Sequence, residues 1–253
     1  MRAPASRKVA GVSIVVVTGT NTDVGKTIVT AAVATLAVTR GSSVAVVKPA
    51  QTGVQPDEPG DLAMVQRLAG VTDLHEYVRY PDPLSPAAAA RRSGIPPLDF
   101  EGTVARIQEL AETRRLVIVE GAGGLLVRND ENGSTLADLA HALGAPVLLV
   151  AHPNLGTLNI AALTCEAMAN RGLDLIGIVL GAWPADPDLA MRCNIRDLET
   201  IGARPLAGVL PENAGAQDPA DFLLTARAGL APSLGGTFDP TEFRQTWDPR
   251  KAD

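Results

Sequence analysis

Aromatic residues are scarce, 3% of a 253-residue chain, so the core has to be aliphatic, rich in Ala and Val. Cysteine is limited to Cys165 and Cys193. Two thiols make no disulfide framework, and neither stands at a Cys/His spacing that would hold zinc. No apolar run reaches the ~18 residues of a membrane-crossing helix. Residues 1–11 include Arg2, Arg7 and Lys8, but the apolar run that follows leads into a glycine loop and not a small-residue cleavage site, so no secretory leader is expected. These absences make the cytoplasm the expected compartment. Positive charge is not in excess either. At a net charge of −6 no basic groove for nucleic acid is expected, and neither is a membrane partner. Lysine is nearly missing: among 22 basic residues the lysines are Lys8, Lys26, Lys48 and Lys251. Lys26 and Lys48 stand inside glycine- and proline-marked motifs, where a compact ammonium replaces the guanidinium fork used elsewhere. No Ser-His-Asp set for covalent hydrolysis is discernible, and no repeat of fixed period appears.

With 46% hydrophobic and 20% charged residues the chain is globular, and its length suits one α/β domain spanning 1–253. Strand-like runs at 12–18, 44–48, 116–120, 146–151, 175–180 and 206–210 alternate with helical patterns at 26–39, 61–69, 98–113, 134–143, 157–171 and 187–201. The first run, VSIVVVT, is continuously β-branched, as for a strand buried on both faces. Such alternation predicts a doubly wound, mostly parallel sheet with helices on both faces, in three layers. Ligands of that architecture bind beyond the carboxyl ends of the strands. Residues 72–97 read as a proline-rich loop with a short helix at 86–92. Residues 1–11 read as an extension, and 218–253 as a partly disordered tail.

The junction of the first strand and helix is Gly19-Thr20-Asn21-Thr22-Asp23-Val24-Gly25-Lys26-Thr27. Backbone N–H groups of such a loop surround phosphates, and the helix N-terminus adds positive potential. Lys26 is placed to reach the β- and γ-phosphates and the Thr27 hydroxyl to bind Mg²⁺. Five residues separate Gly19 from Gly25, one more than in the strict pattern, so the loop is a variant. No N-K-x-D run for guanine follows. Glu120 ends the third strand before Gly121-Ala122-Gly123-Gly124, where a carboxylate can reach Mg²⁺ and glycines let backbone approach a nucleotide. Asp61 opens a helix, as a cap or as a second Mg²⁺ ligand. Lys48 starts Lys48-Pro49-Ala50-Gln51-Thr52-Gly53 after the second strand. It is expected beside the phosphate loop, at the tip of a strand adjoining the first, facing the same γ-phosphate position as Lys26. A buried lysine there needs an anionic partner. Two lysines and Mg²⁺ supply the charge neutralisation that phosphoryl transfer requires. His152 follows the fourth strand at the same edge and is a further candidate.

Taken in order, these motifs resemble the dethiobiotin synthetases: G-T-x-T-D-V-G-K-T at 19–27, K-P-x-x-T-G at 48–53, the acidic start at Asp61, S-P-A-A-A-A at 85–90, V-E-G-A-G-G at 119–124 and L-G-T-L-N at 155–159. The resemblance spans about 12–210 and implies a fold of the P-loop NTPase kind. It implies a homodimer that carboxylates 7,8-diaminononanoate with CO₂ and ATP. A carbamate on one amine attacks the γ-phosphate, and the neighbouring amine closes the carbamic–phosphoric anhydride to dethiobiotin, ADP and phosphate. It implies Lys48, Lys26 and Thr22 as catalytic residues and Thr27, Asp61 and Glu120 as Mg²⁺ ligands. Asp23, Val24, Gly25, Ile28, Gly121, Ala122 and Gly123 would surround the nucleotide. Thr22 and Thr52 would hold the diamine or carbamate head. Leu155, Gly156, Thr157 and Asn159 would hold the substrate's tail carboxylate across the dimer. One departure stands after the fifth strand. Better-known members carry Asn-Asp for adenine where this chain has Gly181-Ala182, then Trp183. Weaker base discrimination is therefore expected, through backbone atoms with Trp183 near the base, and other nucleoside triphosphates are expected to be accepted. Pro211, Glu212 and Asn213 are expected to touch base or ribose. The competing reading is a switch ATPase of the partitioning or septum-site type. Those carry a second lysine early in the loop, where this chain has Thr20 and Asn21.

Overall fold

The structure is a computed structural model and describes residues 13–251. The expected extension at 1–11, and Val12, lie outside the described residues. Seven strands form one parallel sheet: β1 (Ser13–Gly19), β2 (Val44–Thr52), β3 (Leu74–Tyr80), β4 (Leu116–Gly124), β5 (Val147–Ala151), β6 (Leu175–Trp183) and β7 (Gly208–Pro211), in the order β3-β2-β4-β1-β5-β6-β7. The helices are α1 (Lys26–Thr39), α2 (Asp61–Ala69), α3 (Pro86–Ser93), α4 (Phe100–Thr113), α5 (Leu136–Leu143), α6 (Thr157–Asn170), α7 (Leu189–Ile201), α8 (Pro219–Gly229) and α9 (Pro240–Thr246).

The β-branched run of β1 explains its central place. Val15 and Val17 pack with Val29, Ala32 and Leu36 of α1, Val65 of α2 and Phe222 of α8. Val16 points the other way, among Ile107 of α4, Leu139 of α5 and Met168 of α6. Both faces of the strand are therefore dry, as the period-2 geometry of an unbroken apolar strand requires. The alanines of α1 let that helix lie close to the sheet without aromatic bulk. The strand order reverses about β1, which puts the ligand crevice beyond its carboxyl end.

The structure corrects four expectations. First, β2 does not adjoin β1; β4 lies between them. Second, β2 runs through Pro49 to Thr52. Its pairing with β4 stops at Val47, while pairing with β3 skips Pro49 and resumes in the same register from Ala50 to Thr52. Third, the stretch read as a loop contains β3. This edge strand has half-buried positions from Leu74 to Arg79 and so shows no apolar run. Fourth, the described part of the tail holds two helices, α8 and α9. Asp218 accepts from the N–H groups of Ala220 and Asp221 to cap α8, and Asp239 accepts from Thr241 and Glu242 to cap α9. Phe222 and Ala226 of α8 are fully buried.

Candidate active site

A cleft of about 870 Å³ opens at the carboxyl ends of β1, β2, β4 and β6. Thr22, Asp23, Gly25, Lys26, Thr27 and Ile28 of the β1–α1 loop line it. Val24 does not. It is 2% exposed and belongs to the apolar core beneath, so it pins the loop while its neighbours face the cavity. Gly25 has φ 93°, and a Cβ there would sit 2.5 Å from the carbonyl oxygen of Gly181. Gly181 is equally constrained, since a Cβ on it would come within 2.7 Å of Val150 and would overlap the Val24 carbonyl. The phosphate loop and the tip of β6 thus touch backbone to backbone, which only glycine permits.

The sheet order makes Glu120, on the strand between β1 and β2, the hub of the site. Its carboxylate is fully buried. Oε1 accepts from Lys48 Nζ at 2.8 Å and from Thr27 Oγ1 at 2.8 Å. Lys48 Nζ also pairs with Asp61 at 2.6 Å and donates to the Gly121 carbonyl at 3.1 Å. Burial by itself pulls the Lys48 ammonium down, but Glu120 and Asp61 outweigh it and hold the group above the ordinary lysine value. Lys26 moves the other way. Burial, and then repulsion by Lys48, lower it despite the nearby carboxylates, and its Nζ donates to the Asn21 carbonyl at 2.9 Å. The expected anionic partner of Lys48 is thus supplied by the protein's own carboxylates.

Asp61 does not cap its helix; Gly60 holds that position. Gln51 Oε1 accepts from the Asp61 N–H at 3.0 Å and so orients the first turn of α2 toward Lys48. Thr27 Oγ1, Asp61 and the second oxygen of Glu120 are an oxygen-only donor set. That second oxygen is buried with no hydrogen-bond partner among the described residues. Hard oxygen donors with one orphaned carboxylate oxygen fit Mg²⁺, and these residues would hold it. Among the described residues, no cluster of three or more His, Cys, Asp or Glu stands together for a metal.

Thr52, Ala122, Gly123, Gly181, Ala182 and Glu212 also line the cleft. Pro211 and Asn213 flank Glu212 without lining it. Trp183 is a correction. It is buried against Phe243 and Trp247, ring centroids 5.1 and 5.6 Å away, and does not line the cavity. Leu155, Gly156, Thr157 and Asn159 lie at the start of α6 and are not brought into the cleft within one copy of the chain. His152 is outside it too, its Nδ1 buried without a partner among the described residues. The cavity wall at Gln51, Pro83, Leu84 and Val127 was not anticipated. Ser85 and Pro86, also in that wall, open the S-P-A-A-A-A motif, which was a signal available in the sequence.

Known proteins resemble this chain over most of its length. A family profile described as an AAA domain matches residues 14–220. The chain is 61% identical to an ATP-dependent dethiobiotin synthetase BioD of Frankia casuarinae over 92% of this chain and 98% of that protein. It is 52% identical to a protein of the same name from Streptomyces avermitilis, over 94% and 100%. Among solved structures, the MinC:MinD cell division protein complex of Aquifex aeolicus superposes with TM-score 0.51 at 14% identity, over 83% of this chain and 85% of that one, a likeness of fold alone. With more than half the residues shared along nearly their whole length, and the loop, lysine and acid motifs in one cleft, the chain belongs to the family of ATP-dependent dethiobiotin synthetases.

Proposed function

We propose that this chain joins CO₂ to 7,8-diaminononanoate at the expense of ATP and closes the ureido ring of dethiobiotin. The observation that carries the reading is the convergence of Lys26, Lys48, Thr27, Asp61 and Glu120 on one cleft. Backbone N–H groups of Gly25 and its neighbours, with the α1 N-terminus, bind the phosphates, and Lys26 releases the Asn21 carbonyl to reach the β- and γ-oxygens. Thr27, Asp61 and Glu120 hold Mg²⁺, which supplies charge neutralisation at those oxygens. Thr22 and Thr52 hold the carbamate or its parent amine. Lys48 faces the carbamate oxygen and the transferring phosphoryl group. The carbamate oxygen forms a bond to the γ-phosphorus as the bond to ADP breaks. The second amine then attacks the carbonyl carbon, phosphate leaves, and the amine's proton is lost. Lys48 is suited to this charge because burial excludes water and the flanking carboxylates keep it protonated.

Gly181 and Ala182 carry no side-chain group able to hydrogen-bond a base, and Glu212 also lines the cleft. Other nucleoside triphosphates are therefore accepted; a sharp preference for ATP over CTP and GTP in steady-state rates would argue against this. A homodimer is supported by exposed apolar residues at the start and along one side of α6: Leu155 is 85% exposed and Leu163 58%. Leu155, Gly156, Thr157 and Asn159 would then hold the tail carboxylate of a substrate bound mainly by the partner. The deciding assay supplies diamine, bicarbonate, Mg²⁺ and ATP and reads out dethiobiotin. Formation that requires diamine supports the proposal. Phosphate release indifferent to diamine would replace it with a switch ATPase.

A further inference from the structure

Half of the aromatic side chains of this chain are gathered in one place. Both tryptophans, Trp183 and Trp247, and two of the four phenylalanines, Phe238 and Phe243, stack together. Trp183 ends β6. Trp247 follows α9, which contains Phe243. The rings meet edge to face, Trp183 against Phe243 at 70° and against Trp247 at 62°, the geometry their quadrupoles favour. The Trp183 Nε1 is buried and finds no acceptor among the described residues, so ring packing alone holds the indole.

The position of Trp183 in the strand gives this cluster a consequence. Leu180 pairs with Val209 of β7 and Trp183 with Pro211, so three steps on β6 span two on β7. The extra residue is a β-bulge at Gly181–Ala182. Strict alternation would send Trp183 to the face of Val179, toward α1, but the bulge turns it to the face of Leu180, where Phe243 and Trp247 pack. The bulged residues are the two whose backbone lines the base end of the cleft, and Gly181 abuts Gly25 of the phosphate loop. The Glu212 N–H donates to the Trp183 carbonyl at 3.0 Å, which ties this charged wall residue to the same point.

We infer that Phe243 and Trp247 are positioning residues: through Trp183 they hold the Gly181–Ala182 bulge, and so set how tightly the enzyme binds its nucleotide. The inference rests on the proposed function, because it needs the nucleotide to lie against that bulge. A cluster that merely seals the end of the sheet would affect folding without singling out one substrate.

The experiment uses the full chain. Phe243→Ala is expected to raise the KM for ATP about tenfold with kcat and the KM for diamine kept within about twofold. Phe243→Leu, which keeps apolar bulk, stands in if the alanine variant does not fold, and its KM for ATP is expected between the two. Trp247→Phe, which keeps a ring, is expected to behave as wild type. That variant also leaves Trp183 as the sole tryptophan, and its emission, excited at 295 nm, is expected to change on ATP addition with a midpoint matching ATP affinity. An unchanged KM for ATP in Phe243→Ala or Phe243→Leu, or a loss shared equally by every kinetic constant, overturns the inference while leaving the proposed function intact. A Trp183 emission indifferent to saturating ATP overturns it as well. Wild-type protein that binds no ATP by calorimetry would remove the proposed function and the inference with it.

Discussion

Replacing Lys48 by methionine separates what this lysine does for folding from what it does for chemistry. The side chain is 3% exposed and pairs with Glu120, which is fully buried, and with Asp61, which is 34% exposed. Methionine nearly conserves volume, so the cavity contribution is small and the loss is electrostatic. Removing one partner of a buried ion pair costs about 3–5 kcal/mol. Here Thr27 still donates to Glu120, and Asp61 has water within reach, so the lower end, about 3 kcal/mol, is expected. For a domain of this length that is a fall in Tm of about 6–12 °C. Adding Glu120→Gln removes the stranded charge and is expected to restore most of the lost Tm, because a pair replaced on both sides is near neutral. Turnover is expected to behave differently. Loss of one preorganised donor to the transferring group lowers kcat about a hundredfold or more, and the double variant does not recover it. Nucleotide binding, carried by Lys26 and the loop backbone, is retained. Differential scanning calorimetry and single-turnover dethiobiotin formation test the two halves. A wild-type Tm in Lys48→Met would refute the buried triad, and wild-type turnover would refute the role of Lys48.

Gly25→Ala puts a side chain at φ 93° against Gly181, a left-handed residue costing about 1–2 kcal/mol before any clash. Calorimetric ATP affinity is expected to fall at least tenfold, and an unchanged affinity would show that the loop is not the phosphate site. Phe222→Ala empties a fully buried ring site between α8 and α1 and is expected to cost about 3–5 kcal/mol by urea unfolding; a cost below ~1 kcal/mol would return the tail to an ornamental role. The two tyrosines give a pH test. Burial is the main cause for both: it pushes Tyr77 up to about 12 and raises Tyr80. Both phenols then bind their proton more tightly in the native state, so their contribution to stability is present at neutral pH and is lost as pH rises from about 10, the unfolded value, through the raised native ones. Phenolate absorbance is expected to stay low at pH 10 in native protein and to appear on unfolding in guanidinium. Half-ionised tyrosine in the folded protein at that pH would contradict the burial of these rings.

Helices α1 and α2 were legible to the residue, because alanine-rich periodicity and glycine stops bound them closely. The strands on either side of the phosphate loop were legible as continuous apolar runs. What the sequence hid follows from specific causes. Strand order depends on which way each crossover turns, and nothing local in Val44–Thr52 announces that β4 will insert beside it. The edge strand β3 alternates His75, Glu76, Tyr77 and Arg79 with no apolar run, because only its last residue is fully buried. The tail was readable in principle: Asp218-Pro219 and Asp239-Pro240 are both helix starts with a capping acid and proline at the first position. In the site, residue types announced Lys26, Lys48, Asp61 and Glu120, but not that the two acids would hold Lys48 between them. Trp183 misled because a bulge, invisible in sequence, reverses the side on which a strand residue points.

The partnership of α1 with α8 bears on how the chain is made. Helix α1 leaves the ribosome before α8, and Phe222 and Ala226, which cover part of its apolar side, arrive nearly two hundred residues later. At the ordinary pace of synthesis the nascent phosphate loop waits about ten seconds or more with a greasy flank open to its surroundings. Chaperone occupancy on ribosome-bound fragments should accordingly peak before residue 219 emerges and fall once that helix docks.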